Sequence, residues 1–168
     1  GDTAFLRARI QIEVKLCAHT GGVANLKEFH IRMPDIDVLD LNCPIGDVSI
    51  NARDGLEEVS IEVELVPRRG GIFSSKRRAE REIEEASLEA AVKRDRLKLR
   101  ISPTDEDDRR FEERWNIDMP SRLKVKIEQG VGDIVIRGTT NNVDIESGVG
   151  DVDIDSIEGA VTIDIGVG

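Results

Sequence analysis

A nine-residue beat governs the C-terminal part of this chain. Val125, Ile134, Val143, Val152 and Val161 stand nine apart, and each is followed two residues later by Ile127, Ile136, Ile145, Ile154 or Ile163. Side chains two apart share one face of a strand, so each beat is the core of a short strand with one apolar face. A longer period lies over the first. Gly130-Val131-Gly132, Gly148-Val149-Gly150 and Gly166-Val167-Gly168 recur every eighteen residues. Short fixed periods of β-branched residues and turn glycines mark chains that stack repeating layers. Two strands per eighteen-residue layer place residue i on residue i+18, about 4.8 Å away. The expectation is an all-β chain, a β-solenoid in its C-terminal part. The residues between the paired positions are Lys126, Val135, Asp144, Asp153 and Thr162. They are mostly polar, so that face is expected to be wet.

Composition narrows the core and the partners. Aromatics make up 3% of the 168 residues and Tyr is absent, which leaves an aliphatic interior of Val, Ile and Leu. The formal net charge of −10 disfavours nucleic acid and anionic membrane, both of which would repel the chain. No stretch approaches the roughly 18 apolar residues of a membrane span, so no membrane insertion by this fragment is expected. The chain shows no signal peptide, starts at Gly1 and stops on a turn motif. It reads as a fragment, with a leader or anchor removed in front and further layers behind. Cys17 and Cys43 are compatible with two buried thiols or with one disulfide, which leaves the redox compartment open.

Along the chain, residues 5–16 alternate as a half-buried strand, broken at Thr20-Gly21-Gly22. Phe29–Met33 is a second strand, stopped by Pro34. Leu39-Asp40-Leu41 and Val48-Ser49-Ile50 stand nine apart, with Gly46-Asp47 echoing Gly132-Asp133 and Gly150-Asp151. Val59–Leu65 is the longest clean alternation, ended by Pro67–Gly71. Ala79, Ile83 and Ala86 have helical spacing, which predicts one short amphipathic helix over about 75–86 with Ser75 as its cap. Leu88–Val92 and Leu97–Ile101 predict a hairpin, with a helix running on to Val92 as the competing reading. Pro103–Arg110 is a polar, acidic loop, and Trp115–Pro120 leads into the repeats. Two regions follow: residues 1–34, N-terminal strands packed on the main domain, and residues 35–168, the solenoid with a helix and hairpin insertion at about 75–102.

Several of these segments together resemble a known family. They are Gly46-Asp47-Val48-Ser49-Ile50, Trp115–Leu123 with its Ile117-Asp118-Met119-Pro120 entry, and Gly132-Asp133-Ile134-Val135-Ile136 with its copy Gly150-Asp151-Val152-Asp153-Ile154. The order of elements is similar to that of the bacterial putative-adhesin domain of unknown function, also called the toast-rack β-helix family. The likeness covers about residues 35–168. It implies a right-handed β-helix-like fold and a place in or beside the bacterial cell envelope or outside the cell, in surface adhesion or envelope-stress sensing. A cytoplasmic location is the alternative. The family offers no catalytic residues to carry over.

The residues themselves point to binding rather than catalysis. No P-loop, G-x-G-x-x-G, C-x-x-C or Ser-His-Asp order occurs, and His19 and His30 fall on different predicted elements, so neither a catalytic nor a metal site is assigned. After Arg137 the chain has no Lys or Arg, while acids continue. Asp144, Glu146, Asp151, Asp153 and Asp164 are therefore the candidate binding face, for a protein or polysaccharide ligand. Glu128, Glu146 and Asp164 stand eighteen apart, as do Asp133 and Asp151, so like charges stack. A solvated, screened edge is the plain reading, and incidental Ca²⁺ binding is the alternative. The calcium nonapeptide G-G-x-G-x-D-x-U-x does not fit, since Val152 stands where it requires Asp. A carbohydrate-active β-helix protein is the competing function, with Asp144 and Asp153 as a converging pair. A self-assembling scaffold is the second alternative, because an uncapped end exposes unpaired backbone groups. The basic cluster Lys76-Arg77-Arg78 with Arg81 is read as a solvated helix face paired with neighbouring glutamates.

Overall fold

The computed structural model describes residues 13–19, 22–32, 36–56, 58–68, 76–102 and 111–167. Side chains are described from Ile36 onward within those ranges, except at 76–78 and 80. The strand expected over 5–16 lies outside the described residues up to residue 12, as do Ser75 and the loop 103–110. The side chains of Cys17, His19, His30 and Lys76-Arg77-Arg78 also lie outside them.

The chain is nearly all β. Two N-terminal strands, β1 (Glu13–His19) and β2 (Gly22–Arg32), form an antiparallel hairpin. β2 pairs in turn with β4 (Glu58–Pro67), and β4 with β7 (Phe111–Pro120), both antiparallel. The pivot is β3 (Val38–Arg53), a sixteen-residue strand. Its alternating Leu39, Leu41, Cys43, Val48 and Ile50 are buried. The two short strands read from the sequence are thus halves of one. Gly46, at φ 145°, lies between them, a conformation L side chains rarely adopt.

Each half of β3 starts a separate parallel ladder. The first half pairs with β6 (Arg96–Ser102) on one side and β8 (Lys124–Val131) on the other. The second half pairs with β7 and with β9 (Ile134–Arg137). β10 (Val143–Val149) then pairs with β8, and β12 (Val161–Val167) with β10, while β11 (Val152–Asp155) pairs with β9. The register is the one the eighteen-residue period predicts: Val125 beside Val143 beside Val161, and Ile134 beside Val152. Because β3 belongs to both ladders, the twelve strands among the described residues join into a single open sheet, with β1, β5, β11 and β12 at its edges.

The inward faces of both ladders fill one core cluster. Val125, Ile127, Ile134, Ile136, Val143 and Ile145 are all at most 1% exposed. Burying each such side chain contributes about 2 kcal/mol. The next pair, Val152 and Ile154, is half-buried, and Val161 and Ile163 are 42% and 41% exposed. The gradient has a simple cause: β11 and β12 are covered on one side only. The same spacing therefore gives a buried pair in the middle of the stack and a half-wet pair at its edge.

A helix and a hairpin follow β4 in the chain. The one helix among the described residues, α1 (Lys76–Glu85), lies against β4 and buries Ala79 and Ile83, with Ala86 buried just after its end. It ends where the Ala86 N–H donates back to the Glu82 carbonyl at 2.9 Å. The hairpin follows at once: β5 (Ser87–Lys93) runs antiparallel to β6, with Leu88 opposite Ile101 and Val92 opposite Leu97. Helix propensity in 87–92 gives way to pairing, because Leu88 and Ala90 reach the core only as a strand. Trp115–Pro120, read as an entry to the repeats, is the major part of a full strand. Trp115 Nε1 donates to Glu113 Oε1 at 2.7 Å, and both residues are buried.

Candidate functional site

The corner between the ladders is built by the repeated Gly-Asp. A Cβ at Gly132 would run into the Gly46 carbonyl, and one at Gly150 into that of Gly132. Only glycine allows successive layers to approach this closely. The aspartate after each glycine then bonds across layers. Asp47 Oδ1 accepts the backbone N–H of Asp133 at 3.0 Å, and Asp133 Oδ1 accepts that of Asp151 at 3.0 Å. Each carboxylate satisfies a backbone donor one layer on, which offsets the repulsion that stacked aspartates suffer. Behind this corner Gln129 Nε2 donates to the Gly46 carbonyl at 2.7 Å, and Ser147 Oγ donates to Gln129 Oε1 at 3.2 Å. Gln129 and Ser147 are both 6% exposed, so these bonds satisfy groups that would otherwise be costly to bury.

The five acids of the sequence-derived face fall into three places. Asp144 lies in the outward row Asp40, Lys126, Asp144, Thr162 across β3, β8, β10 and β12. Glu146 and Asp164 lie in the next row, Asn42, Glu128, Glu146, Asp164. Asp151 belongs to the corner. Asp153 lies on the other ladder, in the row Ser49, Val135, Asp153. The structure thus brings Asp144, Glu146 and Asp164 onto one wall and sets Asp151 and Asp153 apart from them. Asp144 and Asp153, weighed as a converging pair, stand on different ladders. Glu128, Glu146 and Asp164 line a shallow groove of about 470 Å³ with Asn42, Gln129 and Ser147. Among the described residues, no three His, Cys, Asp or Glu side chains are grouped to hold a metal ion, and no helix is long and apolar enough to cross a membrane.

The same wall carries a second feature that the sequence does not single out. In strand order it runs β5, β6, β3, β8, β10, β12. Its β5–β8 side holds a groove of about 360 Å³, lined in part by Lys93, Arg96, Lys98, Arg100 and Lys126, with Asp40, Glu89 and Glu128 among them. Arg96 Nη1 bonds Asp40 Oδ2 at 3.3 Å, and Arg100 Nε bonds Glu89 Oε2 at 2.6 Å. The Arg100 guanidinium, bonded to Glu89, holds its carboxyl below the ordinary glutamate range. The wall is therefore polarised: cations gather on β5, β6 and β8, and acids gather on β10 and β12. One signal was available in the sequence. The outward positions of Arg96-Leu97-Lys98-Leu99-Arg100 are all cationic, as are Lys124 and Lys126.

No protein-family model matches this sequence, and no curated protein matches it. Solved structures do match. One is a putative cell adhesion protein from Clostridium sporogenes, 12% identical, covering 94% of this chain and 100% of its own, with a TM-score of 0.35. A second is a putative adhesin from Parabacteroides distasonis, 11% identical, covering 83% of this chain and 65% of its own, with a TM-score of 0.36. A third is a putative adhesin from Bacteroides fragilis, 12% identical, covering 83% of this chain and 96% of its own, with a TM-score of 0.32.

Proposed function

We propose that this chain is a non-enzymatic binding module of the bacterial cell envelope, a β-solenoid whose long outer wall engages a surface ligand. The observation that carries the reading is the polarised wall. Six strands in fixed register hold a cationic groove at one side and an acidic groove at the other, on a scaffold stiffened by a mostly aliphatic core and a bonded corner. Such a wall offers fixed charges for recognition. The envelope location, extracellular included, rests on the sequence resemblance. Sugar cleavage, the competing reading, needs two carboxylates flanking one bond, and the pair considered for it is split between ladders.

An array of polysaccharides and matrix proteins tests the reading. Saturable binding without turnover is expected. Turnover of a polysaccharide, lost in Asp144→Asn or Asp153→Asn, replaces it with the carbohydrate-active reading. A self-assembling scaffold is favoured by one specific observation, the half-exposed Val161 and Ile163 on edge strand β12. Sedimentation velocity decides that question, with concentration-dependent growth that Ile163→Lys abolishes as its signature.

A further inference from the structure

We propose that the groove on β5, β6, β3 and β8 is a binding subsite for an acidic polysaccharide, a glycan that carries carboxylates as well as hydroxyls. This rests on the binding-module reading and names its ligand class.

The argument starts from which charges are already used. Asp40 is held by Arg96, and Glu89 by Arg100. Lys93, Lys98 and Lys126 line the same groove and make no ion pair among the described residues. In a chain of net charge −10, three uncommitted ammonium groups around one groove are a local exception. They give an anion an attractive site on a surface that otherwise repels it. Lys98 and Lys126 flank Asp40 in register on its two neighbouring strands. They stand two strand spacings apart, about 10 Å, so they suit a polymer with repeated acid groups better than a single small anion.

The acceptors in the groove select the kind of polymer. Asp40, Asn42, Glu89 and Glu128 are interleaved with the cations. A ligand that is only anionic would meet repulsion from these carboxylates. A glycan brings hydroxyl donors beside its carboxylates and can satisfy both sets. Among the described residues no aromatic side chain lines the groove, so they offer neither nucleic-acid bases nor uncharged sugar faces a stacking platform. Recognition then runs through charge and hydroxyl bonding. Asp144, Glu146 and Asp164 on β10 and β12 limit how far the ligand extends along the wall.

Isothermal titration with three probes tests the proposal: polygalacturonate, neutral dextran and poly-L-glutamate. Polygalacturonate is expected to bind, with affinity that falls as salt rises, and dextran is expected not to bind. Lys98→Glu with Lys126→Glu should weaken polygalacturonate by at least about tenfold and leave the melting temperature within a few degrees. Polygalacturonate binding untouched by the double lysine variant overturns the proposal, and poly-L-glutamate binding as tightly as polygalacturonate overturns its glycan part. If none of the three probes binds but the array yields a ligand, the groove assignment fails while the binding-module reading stands. If the array also yields nothing, both fail.

Discussion

Asp133 Oδ1 accepts the backbone N–H of Asp151 at 3.0 Å, one layer further along the stack. The same bond joins Asp47 to the N–H of Asp133. The Gly-Asp repeat is therefore a bonded corner. Asp133→Ala should cost about 1–2 kcal/mol, the value of a charge-assisted bond at an exposed site. Asp133→Asn, which keeps the acceptor oxygen, should recover about half. Urea unfolding of the two variants measures the difference. Equal losses in both would assign the effect to charge rather than to the bond.

Glycines that look alike in sequence should respond differently. Gly132 has φ 139°, and a Cβ there runs into backbone; Gly55 has φ 84°, with open space around it. Gly55→Ala should cost only the conformational term, about 1–2 kcal/mol. Gly132→Ala adds a clash with the Gly46 carbonyl, which only separation of the layers relieves. It should cost more than about 3 kcal/mol or prevent folding. Thermal melts that rank the two the other way would mean the layers are less tightly apposed at this corner.

These features differ in how far the sequence exposes them. The valine–isoleucine beat is legible because each layer buries its own pair, so the spacing repeats in the chain. The hairpin of β5 and β6 is legible because Leu97, Leu99 and Ile101 alternate with charges. The layer formed by β6 and β7 is not, because the stretch 103–110 between them interrupts the beat. The cationic groove is hidden for a related reason. Lys98, Asp40 and Lys126 become neighbours only through parallel pairing of strands far apart in the chain. The candidate acids are legible as an excess but not as a face. Odd and even positions point to opposite sides, and the corner removes Asp151 from both walls.

Position in the stack should set the price of a core deletion. Ile127 is fully buried between layers, while Ile163, at the same point of the repeat, is 41% exposed. Ile127→Ala should cost about 3–4 kcal/mol, a transfer loss plus a cavity. Ile163→Ala should cost about 1 kcal/mol, since solvent already reaches the site. Chemical denaturation of both variants gives the comparison. Similar losses would mean that Ile163 is covered in solution, and so would support self-association.

The Arg100–Glu89 pair predicts a direction with pH. Bonding to Arg100 lowers the Glu89 pKa in the folded chain. The stability it contributes is present above the unfolded glutamate value and is lost as pH falls through the lowered folded value. An NMR titration of Glu89 should show a midpoint below the ordinary glutamate range, and Arg100→Gln should move it back up. An unmoved midpoint would remove the ion pair from the account of the groove.

Glu146 sits between Glu128 and Asp164 in one outward row, with like charges about 4.8 Å away on both sides. Directly opposed like charges on a sheet are destabilising by a few tenths of a kcal/mol each when exposed. Glu146→Lys replaces two repulsions by two attractions, and should raise stability by about 0.5–1 kcal/mol at low salt. The gain should shrink as salt screens the row. Ca²⁺ should shift the melting temperature of the parent chain no more than NaCl at matched ionic strength, because screening alone is at work. A Ca²⁺-specific rise that Glu146→Lys abolishes would instead make the row a cation site, bridging carboxylates that the fold brings into line.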